Sequence, residues 1–301
     1  MNKLLTFDYY KRKYNQIILK RFFPNIYLEK IVKRHYKVVT GKKLNLRNPK
    51  TVSEKLWWIA LYWQSPLIVK CADKYLMREY AKDCGCEEIL VPLLGVYNNA
   101  EEIDFDALPQ KFVLKCNHGC GGHILCEDKS KLDIEATKKQ LNNCLSEDYG
   151  KRFFEFHYSK IPPKIICEKF LDFSMEKSLI DYKIHCFNGK PAFFLVCTDR
   201  DYHDDSVVIT SYSLEWEKLS LLKDEGKVDV SKPELLNEMI EYAEKLSKPF
   251  PYVRMDFYNV ENKKYLGEFT FTPQGNFMTY YKDSTLEMMG DLLKLPKKYK
   301  R

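Results

Sequence analysis

Late in the chain two stretches would bring acidic side chains face to face: Tyr252-Val-Arg-Met-Asp-Phe-Tyr258 and Tyr265-Leu-Gly-Glu-Phe-Thr-Phe271, joined by the polar turn 259–263. Residues two apart share a face of a strand. Arg254 and Asp256 therefore point one way while Val253, Met255 and Phe257 point the other, and Glu268 goes with Thr270. A turn centred near Asn262 sets Asp256 opposite Glu268 and Arg254 opposite Thr270. Carboxylates facing each other across a ladder repel. A hard divalent cation shared by both removes that repulsion, and Mg²⁺ takes one or two carboxylates with phosphate oxygens and water completing its octahedron. The competing reading is a solvent-facing hairpin with Arg254 paired to Asp256 or Glu268, and the hairpin alone does not choose between them.

A second group of residues suits phosphate. Phe112-Val-Leu-Lys115 reads as a buried strand ending in a lysine, followed at once by Cys116-Asn-His-Gly-Cys-Gly-Gly-His123. Gly119, Gly121 and Gly122 let the backbone approach oxygens closely, and Lys115 offers a point charge. The spacing is neither a Walker loop nor a dinucleotide fingerprint, and a plain surface turn would use the same glycines. In Ile165-Ile-Cys-Glu-Lys-Phe-Leu171 the polar pair Glu168-Lys169 interrupts an apolar run. Glu168 can accept from an adenine amino group while the backbone that follows, Lys169 and Phe170, addresses the ring edge. Glu176 is within reach of ribose hydroxyls, and Asp181-Tyr-Lys183 opens the next strand with a second inward lysine. Each is also an ordinary edge-strand charge when taken singly.

Positioning these residues takes a mixed α+β fold. Periodicity predicts helices over 53–63, 72–83 and 132–146 and strands over 111–116, 164–170 and 180–187. Asn188-Gly189 predicts a tight hairpin into strand 191–198, because both central residues of a type I′ turn need positive φ. Ser231 with Glu234 and Ser284 with Glu287 predict helix starts through capping boxes. The 301 residues are 45% apolar and 14% aromatic, enough for one large core or two modest ones. No secretory leader is legible, so the ten scattered cysteines are expected as free thiols in a reducing cytoplasm. No run approaches a membrane span. The net charge of +7 is lopsided: residues 1–50 carry 14 Lys/Arg against Asp8 and Glu29, a net +12, leaving −5 for the rest. That basic, aromatic-interleaved start reads either as a surface for anionic lipid at the inner membrane face or as a solvated helical face packed on the body.

Taken in order, these features resemble the ATP-grasp fold over roughly residues 70–280, and the ordered set is far more specific than its parts. The resemblance narrows to the teichuronopeptide-biosynthesis branch found with capsular polysaccharide genes. It is carried by Asn48-Pro-Lys-Thr-Val-Ser-Glu-Lys55, Ala72-Asp-Lys-Tyr75, Leu108-Pro-Gln-Lys-Phe-Val-Leu-Lys-Cys-Asn-His-Gly119, Asp181-Tyr-Lys183, Cys186-Phe-Asn-Gly-Lys-Pro191 and Glu268-Phe-Thr-Phe-Thr-Pro273. It implies a basic helical segment over 1–70, a small lobe with a glycine-rich lid over 71–170 and a large lobe with a metal-binding hairpin over 171–301, their mostly antiparallel sheets clamping ATP. It implies that Lys74 and Lys115 bind nucleotide phosphates, Glu168 takes adenine and Glu176 ribose. Lys183 would sit on the transferring phosphate, Arg254 at the reacting centre, and Asp256 and Glu268 on Mg²⁺. Thr270 stands where the family usually has an asparagine. The implied activity is ADP-forming ligation of a carboxylate to an amine through an acyl phosphate, attaching an amino acid to a polysaccharide, a glycan precursor or its peptide branch.

Rival readings use fewer of these residues. Asp199-Arg200-Asp201 has the D-x-D spacing of a glycosyltransferase, and a sugar kinase would share the ATP site. A basic membrane- or nucleic-acid-binding module would rest on residues 1–50 alone, yet no nucleic-acid motif organises those charges, so nucleic acid is not expected. Cys84 and Cys86, and the cluster Cys116, His118 and Cys120, lack a second pair at zinc spacing. Cys120 with His118 as a nucleophile pair ranks below bystander thiols, and His185 and His203 read as ordinary strand and loop histidines.

Overall fold

Two antiparallel sheets follow one another along the chain. The computed structural model describes residues 24–172, 180–198 and 207–297. In the first sheet β1 (Leu93–Tyr97), β2 (Phe112–Cys116), β3 (Ile124–Cys126) and β4 (Ile165–Lys169) lie in the order β1-β4-β2-β3. In the second, β5 (Asp181–Phe187), β6 (Lys190–Thr198), β7 (Val208–Tyr212), β8 (Tyr252–Val260) and β9 (Lys263–Thr270) lie in the order β7-β6-β5-β8-β9. The expected Asn188-Gly189 turn joins β5 to β6, with φ of 51° and 77°.

Around the sheets pack α1 (Pro24–Thr40), α2 (Val52–Tyr62), α3 (Pro66–Ala72), α4 (Met77–Asp83), α5 (Ile134–Ser146), α6 (Tyr149–Phe153), α7 (Leu236–Ser247) and α8 (Asp283–Leu292). Among the described residues no helix is long and apolar enough to cross a membrane. A capping box opens α2: Glu54 N–H donates to Thr51 Oγ1, and the Glu54 carboxylate accepts from Thr51 N–H. Such a cap contributes on the order of 1 kcal/mol.

Two helix expectations are corrected. The single helix over 72–83 is broken, because the buried Asp73 carboxylate accepts from Tyr75 N–H at 2.8 Å and Leu76 N–H at 3.3 Å, a local bond set that competes with the helix. Neither serine capping box forms. α7 starts at Leu236 after a turn in which Leu236 N–H donates to the Pro233 carbonyl, and Ser284 lies inside the first turn of α8. The start of α8 is set by tertiary bonds instead, Lys282 N–H and Thr285 Oγ1 both donating to the Leu221 carbonyl.

One face of the second sheet, carrying Ile184, Val253, Met255 and Phe257, packs on Met239, Ala243 and Leu246 of α7 and on Ile68, Cys71 and Met77. Fully burying each of the larger side chains contributes about 1.5–3 kcal/mol. The other face is divided. At one end Phe187, Phe193, Tyr252 and Tyr281 form an apolar cluster around His185, whose ring nitrogens meet Tyr252 Oη at 2.9 Å and Tyr281 Oη at 3.0 Å. At the other end that face is charged. Phe112, Leu114, Cys116 and Leu141 form the core of the first sheet under α5.

Candidate active site

The charged end is built by the hairpin β8–β9. Asp256 lies opposite Glu268 and Arg254 opposite Thr270, as expected, but two departures cancel to give that register. The turn is a two-residue one at Glu261 and Asn262, with φ of 52° and 55°, so Val260 pairs with Lys263. Continued regularly, that pairing would set Gly267 opposite Asp256 and turn Glu268 to the far face. A bulge between Asp256 and Phe257 takes up Gly267 as the extra residue and restores Glu268 to the face of Asp256. Glycine is required there: a Cβ would lie 2.8 Å from the Tyr258 ring.

Asp256 is the hub. It is 1% exposed and accepts from Lys183 Nζ at 2.6 Å, Arg254 Nε at 2.7 Å and Arg254 Nη2 at 2.6 Å. Lys183 also reaches Asp181 Oδ2 at 2.5 Å. Thr270 Oγ1 donates to Glu268 Oε1 at 2.8 Å and accepts from Arg254 Nη2 at 3.1 Å. Glu268 lies 3.5 Å from Arg254 Nη2 and 3.8 Å from Lys74 Nζ, with its side chain 28% exposed. Burial works against the charge on Glu268, but Lys74, Arg254 and Lys183 hold its carboxyl well below the usual range. Burial pushes Asp256 up while Arg254 and Lys183 pull it back. Burial likewise opposes the charge on Lys183, yet Asp181 and Asp256 hold its pKa above the usual value. Three cations thus balance three carboxylates.

This donor set fits a hard cation bound together with phosphate. Two ionised carboxylates face each other, and the Thr270 hydroxyl, having given its proton to Glu268 and one lone pair to Arg254, keeps one lone pair. Among the described residues no group of three or more His, Cys, Asp or Glu is placed to hold a metal alone. The remaining ligands would come from a substrate, as is usual for Mg²⁺.

The first sheet supplies a second charged group. Lys115 Nζ lies 2.6 Å from Glu168 Oε2 and Arg78 Nη1 3.4 Å from Glu168 Oε1, with Glu168 3% exposed. Lys169 is exposed and its backbone N–H already donates to the Pro92 carbonyl; Phe170 is buried with Lys111 above its ring. The turn bearing Lys74 is tied to the glycine loop, Asn117 Nδ2 donating to Asp73 at 2.9 Å and Lys74 Nζ to the Gly119 carbonyl at 2.5 Å. Gly121 and Gly122 have φ of 82° and 69°, and Gly119 packs against the Tyr149 ring. Lys74 therefore links the loop to Glu268. Glu176, His203 and the motif Asp199-Arg200-Asp201 fall outside the described residues. All ten cysteines are free; Cys120 is exposed at the cleft, where lost solvation and the nearby Glu268 raise its thiol, and burial lowers His118, which disfavours them as a nucleophile pair.

A cleft of about 810 Å³ opens over the hairpin, with Lys183, Arg254, Glu268, Thr270, Cys120 and Glu155 among its lining residues. Arg78, Asp181 and Glu155 are site residues that sequence reasoning passed over. Asp181 had a signal, sharing a strand face with Lys183 two residues on. Glu155 had a weaker one, a lone acid within Phe153-Phe154-Glu155-Phe156.

The TupA-like ATPgrasp family model matches residues 54–294. No curated protein sequence matches. Among solved structures, D-alanine–D-alanine ligase from Bacillus anthracis complexed with ATP is 17% identical at a TM-score of 0.41, covering 67% of this chain and 55% of its own. D-cycloserine synthetase DcsG is 13% identical at 0.44, covering 76% and 72%. The ADP complex of purK, N5-carboxyaminoimidazole ribonucleotide synthetase, is 12% identical at 0.44, covering 79% and 56%. This chain thus spans a little over half the length of the Bacillus ligase. With four-fifths of its length matched by one family model, the chain belongs to the TupA-like ATP-grasp family.

Proposed function

We propose that this chain is an ADP-forming ATP-dependent carboxylate–amine ligase that works through an acyl phosphate and attaches an amino acid to a cell-surface or capsular polysaccharide unit or its peptide branch. The observation that carries the reading is the bulged register that brings Glu268, Thr270, Lys183 and Arg254 to one cleft, with Asp256 buried directly behind Lys183 and Arg254. Residues 71–170 are read as the small lobe and 171–301 as the large one, with ATP between them. Residues 1–70 form the basic segment that would keep the enzyme on the cytoplasmic side, at the inner membrane face.

In this reading Asp256, Glu268 and Thr270 hold Mg²⁺, which when bound neutralises phosphate charge in the transfer. Lys74 and Lys115 bind phosphate oxygens, and the loop with Gly119, Gly121 and Gly122 closes over them to exclude water. Glu168, Lys169 and Phe170 address adenine, and Glu176 the ribose. A nucleotide carrying its own metal would draw the carboxylates away from Lys183 and Arg254. Both cations would then be free to stabilise the charge spread over the transferring phosphoryl oxygens.

The test incubates the protein with Mg-ATP, hydroxylamine and each amino acid in turn. ADP with a hydroxamate is the expected result. AMP with pyrophosphate would mean adenylate chemistry, and a phosphorylated sugar hydroxyl without amide would mean a kinase; either overturns the ligase reading.

A further inference from the structure

Two carboxylates line the cleft among the described residues, and they are held differently. Glu268 faces Arg254 and Lys74. Among the described residues Glu155 has no ion-pair partner; it accepts a hydrogen bond from Thr272 Oγ1, and the phenol of Tyr149, a second neutral donor, acts on it from nearby. It is 8% exposed. The backbone holds it there deliberately. α6 ends at Phe154 in a left-handed conformation, φ 61°, an unusual state for an aromatic residue, and Glu155 N–H then donates to the Gly150 carbonyl at 2.9 Å. His35 stacks on Phe154 with ring centroids 4.6 Å apart and fixes that turn from α1.

We propose that Glu155 is a catalytic residue, the base that takes a proton from the incoming amine. The inference rests on the ligase reading above. An amine nucleophile arrives as an ammonium ion and has no lone pair to attack with. The Glu155 carboxylate accepts one proton and leaves a neutral amine. The nitrogen lone pair then forms the C–N bond to the acyl carbon, the C–O bond to phosphate breaks with its electron pair going to phosphate, and the second nitrogen proton leaves with the phosphate. Glu155 returns its proton to solvent.

The surroundings suit a base that works near neutral pH. Burial pushes Glu155 up to about 7, Glu268 adds to the rise, and Thr272, Tyr149 and Lys74 oppose it. Tyr158 and Cys120 are the other titratable groups facing it.

Glu155→Gln keeps the shape and an acceptor for Thr272. Both proteins receive Mg-ATP and the mixed standard amino acids as carboxylate donors, with either hydroxylamine, which is uncharged at neutral pH, or ammonium nucleophiles, namely the amino acids themselves and glucosamine. The variant should form hydroxamate within twofold of wild type. It should lose amide formation by on the order of 10²-fold at pH 7, the deficit shrinking as the pH approaches the amine's own pKa. Glu155→Asp should restore part of the loss. Equal losses with both nucleophiles, or no loss with ammonium, would overturn the role of Glu155 while leaving the ligase reading standing. Wild type forming no hydroxamate from any donor would remove the ligase reading and this proposal with it.

Discussion

Asp256→Ala and Glu268→Ala remove the two facing carboxylates, and the structure separates their consequences. Asp256 is essentially sealed from water and accepts three short bonds from Lys183 and Arg254, whose side chains are 11% and 12% exposed. Truncating it leaves Lys183 to Asp181 alone and Arg254 to the longer contact with Glu268, and breaking a buried ion pair from one side costs about 3–5 kcal/mol. Glu268 is 28% exposed and its cations stand 3.5 and 3.8 Å away, so its loss should cost about 1 kcal/mol or less. Removing it also relieves its repulsion with Asp256. At roughly 2–4 °C per kcal/mol for a large domain, Asp256→Ala should lower Tm by on the order of 10 °C and Glu268→Ala by no more than about 4 °C. Urea titration and scanning calorimetry measure both, alongside ADP release, which each variant should lose by at least about 10²-fold. Matching urea midpoints for the two variants would refute the assignment of Asp256 as the electrostatic hub. Normal ADP release by Glu268→Ala would remove the hairpin from the chemistry.

Further perturbations test other parts of the site. Gly267→Ala pushes a methyl group against the Tyr258 ring and should destabilise by about 1–3 kcal/mol while displacing Glu268; a variant with full activity and unchanged stability would show that the bulge does not set the register. Glu155 has a folded pKa of about 7 against 4.5 in solution, so between those pH values the folded chain holds a proton the unfolded chain has released, and stability falls as the pH rises. Glu155→Gln should lack that slope and be the more stable protein at pH 8, by at most a few kcal/mol at about 1.4 kcal/mol per pKa unit, as chemical unfolding at pH 4, 6 and 8 would show. His185→Leu should cost on the order of 1–3 kcal/mol, because Tyr252 would keep a buried unpaired hydroxyl while Tyr281 is left to Tyr280, and it should leave the pH profile of activity unmoved. Lys115→Met should weaken binding of a non-hydrolysable ATP analogue at least about tenfold by calorimetry, through lost phosphate contact and a Glu168 left to Arg78 alone.

The sequence by itself determined the elements whose signals are local. Period-two alternation identified the β8–β9 hairpin, short apolar runs identified β2, β4 and β5, and Asn188-Gly189 specified the turn from β5 into β6, since steric limits on φ act within two residues. It also put Asp256 with Glu268, although by taking one turn centre where the chain uses a tighter turn and then a bulge. Helix ends were less legible: the Ser231 box yields to a local turn closed on the Pro233 carbonyl, the Ser284 box to tertiary bonds to Leu221, and Asp73 breaks a helix while Asn117, far along the chain, helps hold its carboxylate.

Tertiary structure alone decided which charges meet. Lys183 and Arg254 both close on Asp256, Glu168 is clamped by Lys115 and Arg78, and Glu155 comes to the cleft with no ion-pair partner among the described residues. Those outcomes depend on how two sheets and the loops between them settle against one another. A side chain's charge is written in the sequence, but its partner and its distance from water are fixed only when the packed core sets the backbones in place.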